Sequence, residues 1–369
     1  MQIVQFTAGT LRFLDQLPAA QPESGFIWIY VEREALATQL PQLQQAAQRM
    51  GGSSFLDLHV QDLRNASHPS HYDYTSIYDL VIFRRLATED EVGKEIQETG
   101  DVAPAPGAAL TAFHRIRTRA VAFAVFDRLL ITVHPGGCLT AKSFIQRYLS
   151  DAVQTEGAAL SSRSRLPASP ADLMLRMINT MVDSYLELRK DLSAEMDRWQ
   201  KDLLRPGSQG ADWNGLLVAR AQLHTLEDLC EEQNDAMQEW LDTAREQPSP
   251  SLSQAERDGL IARARDVIEH IQRVVHHVRR IEQAAETAVQ IHFSAQSHRT
   301  NDIMRTLTAL TAIFLPLNLV TGIFGMNFEV MPLIRIPLGF LIIIGTMAVI
   351  ALTLAMVFWR KHYLARTAR

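Results

Sequence analysis

Cysteine is nearly absent from this chain of 369 residues, and its two copies, Cys138 and Cys230, match neither a zinc ribbon nor a disulfide framework. That scarcity fits a reducing cytosol. Enzyme signatures are lacking too. No Lys-Ser/Thr follows His134-Pro135-Gly136-Gly137, as a phosphate-binding loop requires, and there is no Gly-x-Ser-x-Gly elbow and no kinase set. The chain is therefore expected not to be an enzyme. The opening MQIVQFTAGTLRFLDQL has neither the basic start nor the apolar core of a secretory leader, so any membrane insertion is expected to depend on the other end. Net charge is −5; from Arg299 onward there are seven basic and two acidic side chains, which leaves the preceding part near −10. An acidic body of that kind gives no basis for nucleic-acid binding.

The most telling absence is of charge near the C-terminus. No charged side chain occurs from Thr306 to Phe324, and none from Pro337 to Trp359. Each run approaches the ~20 apolar residues a helix needs to cross a ~30 Å hydrocarbon core. Two such runs with a short connection predict a transmembrane hairpin. Arg299 and Arg305 flank the first run, and Arg360, Lys361, Arg366 and Arg369 follow the second, whereas the connection holds only Glu329 and Arg335. By the positive-inside rule both ends are expected in the cytoplasm, in an inner or plasma membrane.

The first run has a polar face. Alternating steps of three and four give Asn301, Met304, Thr308, Thr311, Leu315, Asn318, Gly322 and Gly325 on one stripe. Upstream the stripe continues through His276, Arg280, Gln283, Thr287, Gln290, Ser294 and Ser297. Polar groups facing lipid lack hydrogen-bond partners, so this face should look onto protein or water. Polar contact between packed helices is the alternative explanation. If several copies surround an axis, the same stripe lines a pore with hydrophobic constrictions at Met304 and Leu315.

Gly325, Met326 and Asn327 close the first run and are followed by Phe328, Glu329, Met331 and Pro332, with Asn301, Met304, Pro316 and Gly322 at matching offsets upstream. This pattern resembles the CorA family of divalent-cation transporters. The resemblance implies a homo-oligomer, a pentamer, passing magnesium, with cobalt, nickel or zinc as alternatives, and holding the hydrated ion outer-sphere at Asn327. No tightly bound cofactor is implied. A zinc transporter of the same family is the near alternative, and a membrane-anchored regulatory coiled coil without transport is the alternative of another class. Two departures from the family stand out. Leu333 and then Arg335 follow Met331-Pro332 where relatives carry an acidic residue, and neutral Gln290 falls where a closing carboxylate is implied.

The expected architecture is an α+β membrane protein. Residues 1–156 form a cytoplasmic α/β domain, 157–170 a linker, 171–302 a helical stalk and 303–324 the pore-lining span. Residues 325–336 form the external loop, 337–359 the second span and 360–369 a basic tail. In the first domain, strands are expected at Gly25–Val31, Tyr78–Phe83, Leu110–Ile116, Val121–Phe126 and Leu129–Val133, with a hairpin at Asp127-Arg128. Helices are expected at Leu40–Met50, stopped by Gly51-Gly52, and from about Ser54. Thr88–Gly107, with two prolines and three glycines, reads as an exposed loop. His68, His71 and Asp73 could ligate zinc, although Pro69 and a loop setting argue against it.

Further on, Ser169, Pro170 and Asp172 make a helix start whose buried side carries Leu175, Ile178, Val182, Tyr185, Leu192 and Met196. A second helix should run from Trp213 to about Arg245. A third, from about Ala255, has a seam of Leu260, Ala264, Val267, Ile271, Val274, Val278, Ile281, Ala285 and Ala288 and should continue into the membrane. His276, His277 and His292 would suit zinc better than magnesium, but their spacing reads more simply as solvated or interhelical.

Overall fold

The computed structural model describes residues 1–7, 10–99, 112–137, 144, 146, 166–204, 213–247, 251–326 and 338–360. The chain divides into two compact units, Met1–Trp199 with Asp212–Ala285, and Gln200–Ala211 with Glu286–Arg369.

The first unit is built on a seven-stranded sheet. Its strands are β1 (Gln2–Thr7), β2 (Thr10–Leu14), β3 (Phe26–Glu32), β4 (His71–Tyr74), β5 (Asp79–Leu86), β6 (Thr118–Val125) and β7 (Leu129–His134). They lie in the order β2-β1-β3-β7-β6-β5-β4, with β3 and β7 parallel and every other neighbour antiparallel. Central β3 and β7 are buried on both faces apart from Glu32, which explains why they read as continuous apolar runs rather than as alternations. One face packs against α1 (Leu36–Ala46) and α2 (Asp57–Arg64), where Ile27, Ile29, Leu36, Leu43 and Leu63 share a core. Gly25, at φ +79°, feeds β3; a Cβ there would meet the Phe6 carbonyl oxygen at 1.9 Å, so only glycine fits beside β1.

Several expectations for this sheet need correction. Gln2–Thr7, Thr10–Leu14 and His71–Tyr74 are strands that were not expected as such. Ala112–Arg115, expected within a strand, is a 3₁₀ turn. Glu89–Thr99, expected as loop, is a helix, α3, started by a reciprocal cap: Glu91 N donates to Thr88 Oγ1 at 3.3 Å and Thr88 N to Glu91 Oε2 at 2.8 Å.

Helices α4 (Pro170–Leu204) and α5 (Trp213–Glu246) follow, then α6 (Gln254–Phe324) and α7 (Gly339–Arg360). The start of α4 is capped as its sequence indicates, with Asp172 N donating to Ser169 Oγ at 3.2 Å and Ala168 N to Asp172 Oδ2 at 3.1 Å. Ser253 and Glu256 repeat the device at α6. A buried polar node ties α4 and α5 to β5: Tyr185 Oη donates to the Arg84 carbonyl at 2.9 Å, and Gln233 Nε2 donates to the same carbonyl at 2.6 Å. All nine residues of the α6 seam are buried.

In the second unit, α6 runs on to Phe324, and α7 spans 22 residues. Both are long and apolar enough to cross a membrane. Much of their apolar surface is exposed, Ile303, Leu307, Phe314 and Leu319 on α6 and Phe340, Leu352 and Trp359 on α7 among them, while a strip of α6 through Ala309, Ile313, Leu317 and Val320 is buried or half-buried. In water such surfaces would drive aggregation, so they demand lipid or further protein.

Candidate ion-conduction path

The stripe of alternating threes and fours lies on one continuous helix. Asn301, Met304, Thr308, Thr311, Leu315, Asn318 and Gly322 are all exposed on α6, as are Gln283, Thr287, Gln290, Ser294 and Ser297 upstream. Two threonines of the apolar stretch turn inward on the helix itself: Thr308 Oγ1 donates to the Met304 carbonyl at 2.7 Å, and Thr311 Oγ1 to the Leu307 carbonyl at 2.9 Å. Their protons are thereby used, and what they offer outward is oxygen lone pairs and a methyl group. The side-chain amides of Asn301 and Asn318 make no hydrogen bond among the described residues, so within the apolar stretch and at its entrance they are available both to donate and to accept. Met304 and Leu315, 56% and 69% exposed, lie between them as apolar bands.

Pro316 sits inside this helix and cannot donate to the Ala312 carbonyl, which leaves one more backbone oxygen without its helical partner. The helix then ends where the signature begins. Gly325 N donates to the Thr321 carbonyl at 2.9 Å and Met326 N to the Ile323 carbonyl at 3.3 Å. A Cβ on residue 325 would lie 3.0 Å from the Thr321 carbonyl oxygen, so glycine leaves that oxygen uncrowded. Met326 is exposed; Asn327 and the residues up to 337 lie outside the described residues.

Histidine chemistry elsewhere is engaged rather than poised for metal. The rings of His68 and His71 lie 6.0 Å apart, but Asp73 does not join them. Asp73 Oδ2 bonds Nε2 of the buried His59 at 2.8 Å, whose Nδ1 meets Tyr78 Oη at 2.6 Å, while His68 faces Asp62 at 3.4 Å. His71 is exposed on β4. No cluster of three or more metal-ligating side chains occurs among the described residues. His277 is interhelical: Arg280 Nη2 donates to its Nδ1 at 2.6 Å, and its Nε2 lies 2.9 Å from Ser193 Oγ on α4. Burial first, then Arg189 and Arg280, pushes its pKa down, so it is a neutral strut. Its partner lies 84 residues away, a pairing no local spacing reveals.

Over residues 23–361 the chain matches the family described as CorA-like Mg2+ transporter protein. A relative from Thermotoga maritima, named cobalt/magnesium transport protein CorA, is 26% identical over 198 residues, 52% of each chain. The chain thus matches about half the length of that relative. The solved structure of the CorA magnesium transporter from Methanocaldococcus jannaschii superposes with a TM-score of 0.72 at 16% identity, covering 98% of both chains. Full-length CmaX superposes at 0.64 with 16% identity, covering 97% of this chain and 96% of that one. These likenesses establish the fold, an N-terminal α/β body followed by long helices and two C-terminal apolar helices. With the family match spanning nearly the whole length, the chain belongs to the CorA-like Mg2+ transporter protein family.

Proposed function

We propose that several copies of this chain, five by family resemblance, surround an axis in the inner or plasma membrane and pass a divalent cation, magnesium first and cobalt, nickel or zinc after it. The observation that carries this reading is the file of Asn301, Thr308, Thr311 and Asn318 on a helix otherwise fit only for lipid. A file of that kind is costly against hydrocarbon and useful against water. In the proposed assembly, residues 303–324 line the pore, 325–336 form its outer mouth, 337–359 face lipid, and 360–369 return to the cytoplasm. One hairpin cannot enclose a channel.

Magnesium gives up its inner waters reluctantly, so a selective mouth grips the hydrated ion through hydrogen bonds. Asn327 supplies an amide for this outer-sphere contact, and the uncrowded carbonyl beside Gly325 supplies an acceptor. Asn318 and Asn301 form deeper polar rings, separated by apolar rings of Leu315 and Met304 that resist a hydrated ion when the helices are close. The engaged state of His277 favours magnesium over a stalk built to hold zinc. The test is Asn327→Ala: metal uptake should fall to background while the oligomer elutes unchanged. Uptake equal to the parent would remove the mouth from this account.

A further inference from the structure

A cavity of about 460 Å³ opens at one end of the sheet, within the first unit. The β4–β5 turn, the β6–β7 turn, the start of α4, the end of α5 and the start of α6 enclose it. Tyr74, Tyr78, Phe126 and Trp240 give it an aromatic wall, continued by Leu260 and Ile261. Its size falls in the ~300–1,000 Å³ range of small-molecule sites.

Three polar groups on this wall are left wanting. Asp79 carries a half-buried carboxyl group whose charged neighbour is another carboxylate, Asp127, and whose polar neighbours are Tyr72 and Trp240. No cation among the described residues pairs with it. Trp240 is 3% exposed, and its indole N–H, though directed toward Asp79, completes no hydrogen bond of ordinary geometry. The buried Nε of Arg257 also completes none. Water could satisfy the indole and the guanidinium. It cannot supply the positive charge that a desolvated carboxylate beside a second carboxylate lacks.

We propose that this cavity binds a small zwitterion, its ammonium group seated against Asp79 and the aromatic wall and its acid group held by Arg257. A carboxylate and the faces of Trp and Tyr rings together suit an ammonium ion, which is attracted by charge on one side and by ring quadrupoles on the other. A guanidinium is the matching donor for a carboxylate or sulfonate. An ion carrying only one of the two charges would leave the opposite group unanswered. The site is independent of whether the C-terminal helices conduct, and it takes hold of the first two turns of α6.

The pH dependence has a definite sign. Burial, with Asp127 adding to it, raises the Asp79 carboxyl to about 6. The groups facing it are Tyr72 from β4, Trp240 from α5 and Asp127 from the β6–β7 turn, with Arg257 of α6 on the same cavity. Protonation of Asp79 removes the ammonium's partner, so affinity should fall about tenfold per pH unit below that value.

The experiment is calorimetric titration of the full-length protein in detergent at pH 7.5 with glycine betaine and γ-aminobutyrate, against choline as the cation alone and acetate as the acid alone. At least one zwitterion should bind, with choline and acetate at least tenfold weaker. Asp79→Asn and Arg257→Gln should each weaken the zwitterion at least tenfold, and moving the parent protein to pH 5 should weaken it about tenfold. The ligand panel and the pH arm need no variant, so they stand even if a substitution impairs folding. Absence of binding by both zwitterions would overturn the proposal. So would choline binding as tightly as they do, or binding undiminished in both variants.

Discussion

His134 is wholly buried on β7, its ring 4.9 Å from that of Tyr30 and 6.3 Å from that of Phe123. Burial, helped by Arg85 and Arg33, pushes its pKa down to about 3. The sign follows from linkage: the unfolded chain takes up this proton near pH 6.5 and the folded chain does not, so the contribution is complete above 6.5 and is lost as pH falls toward 3. By pH 4 the loss should be about 3 kcal/mol. Asp79 acts in the opposite sense between about pH 6 and 4, because its folded pKa is the raised one. The clean comparison is therefore parent against His134→Gln, by chemical denaturation of the full-length protein in detergent at pH 7 and pH 4; the variant should lose less stability over that interval. Cys230, buried and pushed up to about 12, stays a protonated thiol. In the sequence His134 stood out only as the first residue of His134-Pro135-Gly136-Gly137, which lacks the residues of a phosphate-binding loop. Its burial follows from the pairing of Glu32 with His134 across β3 and β7, which joins segments about a hundred residues apart.

At the scale of elements, legibility followed locality. The 71-residue α6 was readable because its seam and its polar stripe repeat along one segment that has no proline before Pro316 and no glycine between Gly259 and Gly322. The same held for the capped start of α4. By contrast, α3 was hidden under acidic residues and Gly93, although Thr88 and Glu91 already spelled its capping box. The edge strands β2 and β4 have mixed exposure and no continuous apolar face, so neither alternation nor an apolar run marked them. The stripe makes two predictions for α6. Leu315→Ser and Met304→Ser should each raise basal metal leak severalfold, since a wetted constriction no longer resists a hydrated ion; a dye-quench assay in vesicles reads this directly, and leak equal to the parent in both would place the stripe away from the pore. Gln290 is neutral and exposed where the family resemblance implies a closing carboxylate. An amide adds no charge to offset the dehydration of a divalent ion, so millimolar magnesium should protect the parent from protease little, and Gln290→Asp should increase that protection.

For the whole molecule, the order of parts was legible from composition alone: an acidic α/β body, long helices, then two uncharged runs with basic flanks. What composition could not supply was the sheet's connectivity, with β1 and β2 added beyond β3 and a single parallel pair at the centre, because strand order depends on contacts between distant segments. The stripe on α6 and most of α7 are exposed, surfaces that call for lipid or further protein. The most direct measurement is magnesium entry into sealed liposomes containing the purified protein, followed with an internal indicator dye under an inward gradient. Entry should exceed that of protein-free liposomes by at least tenfold and be competed by cobalt or nickel. Entry no faster than in protein-free liposomes for magnesium, cobalt, nickel and zinc alike would contradict the account.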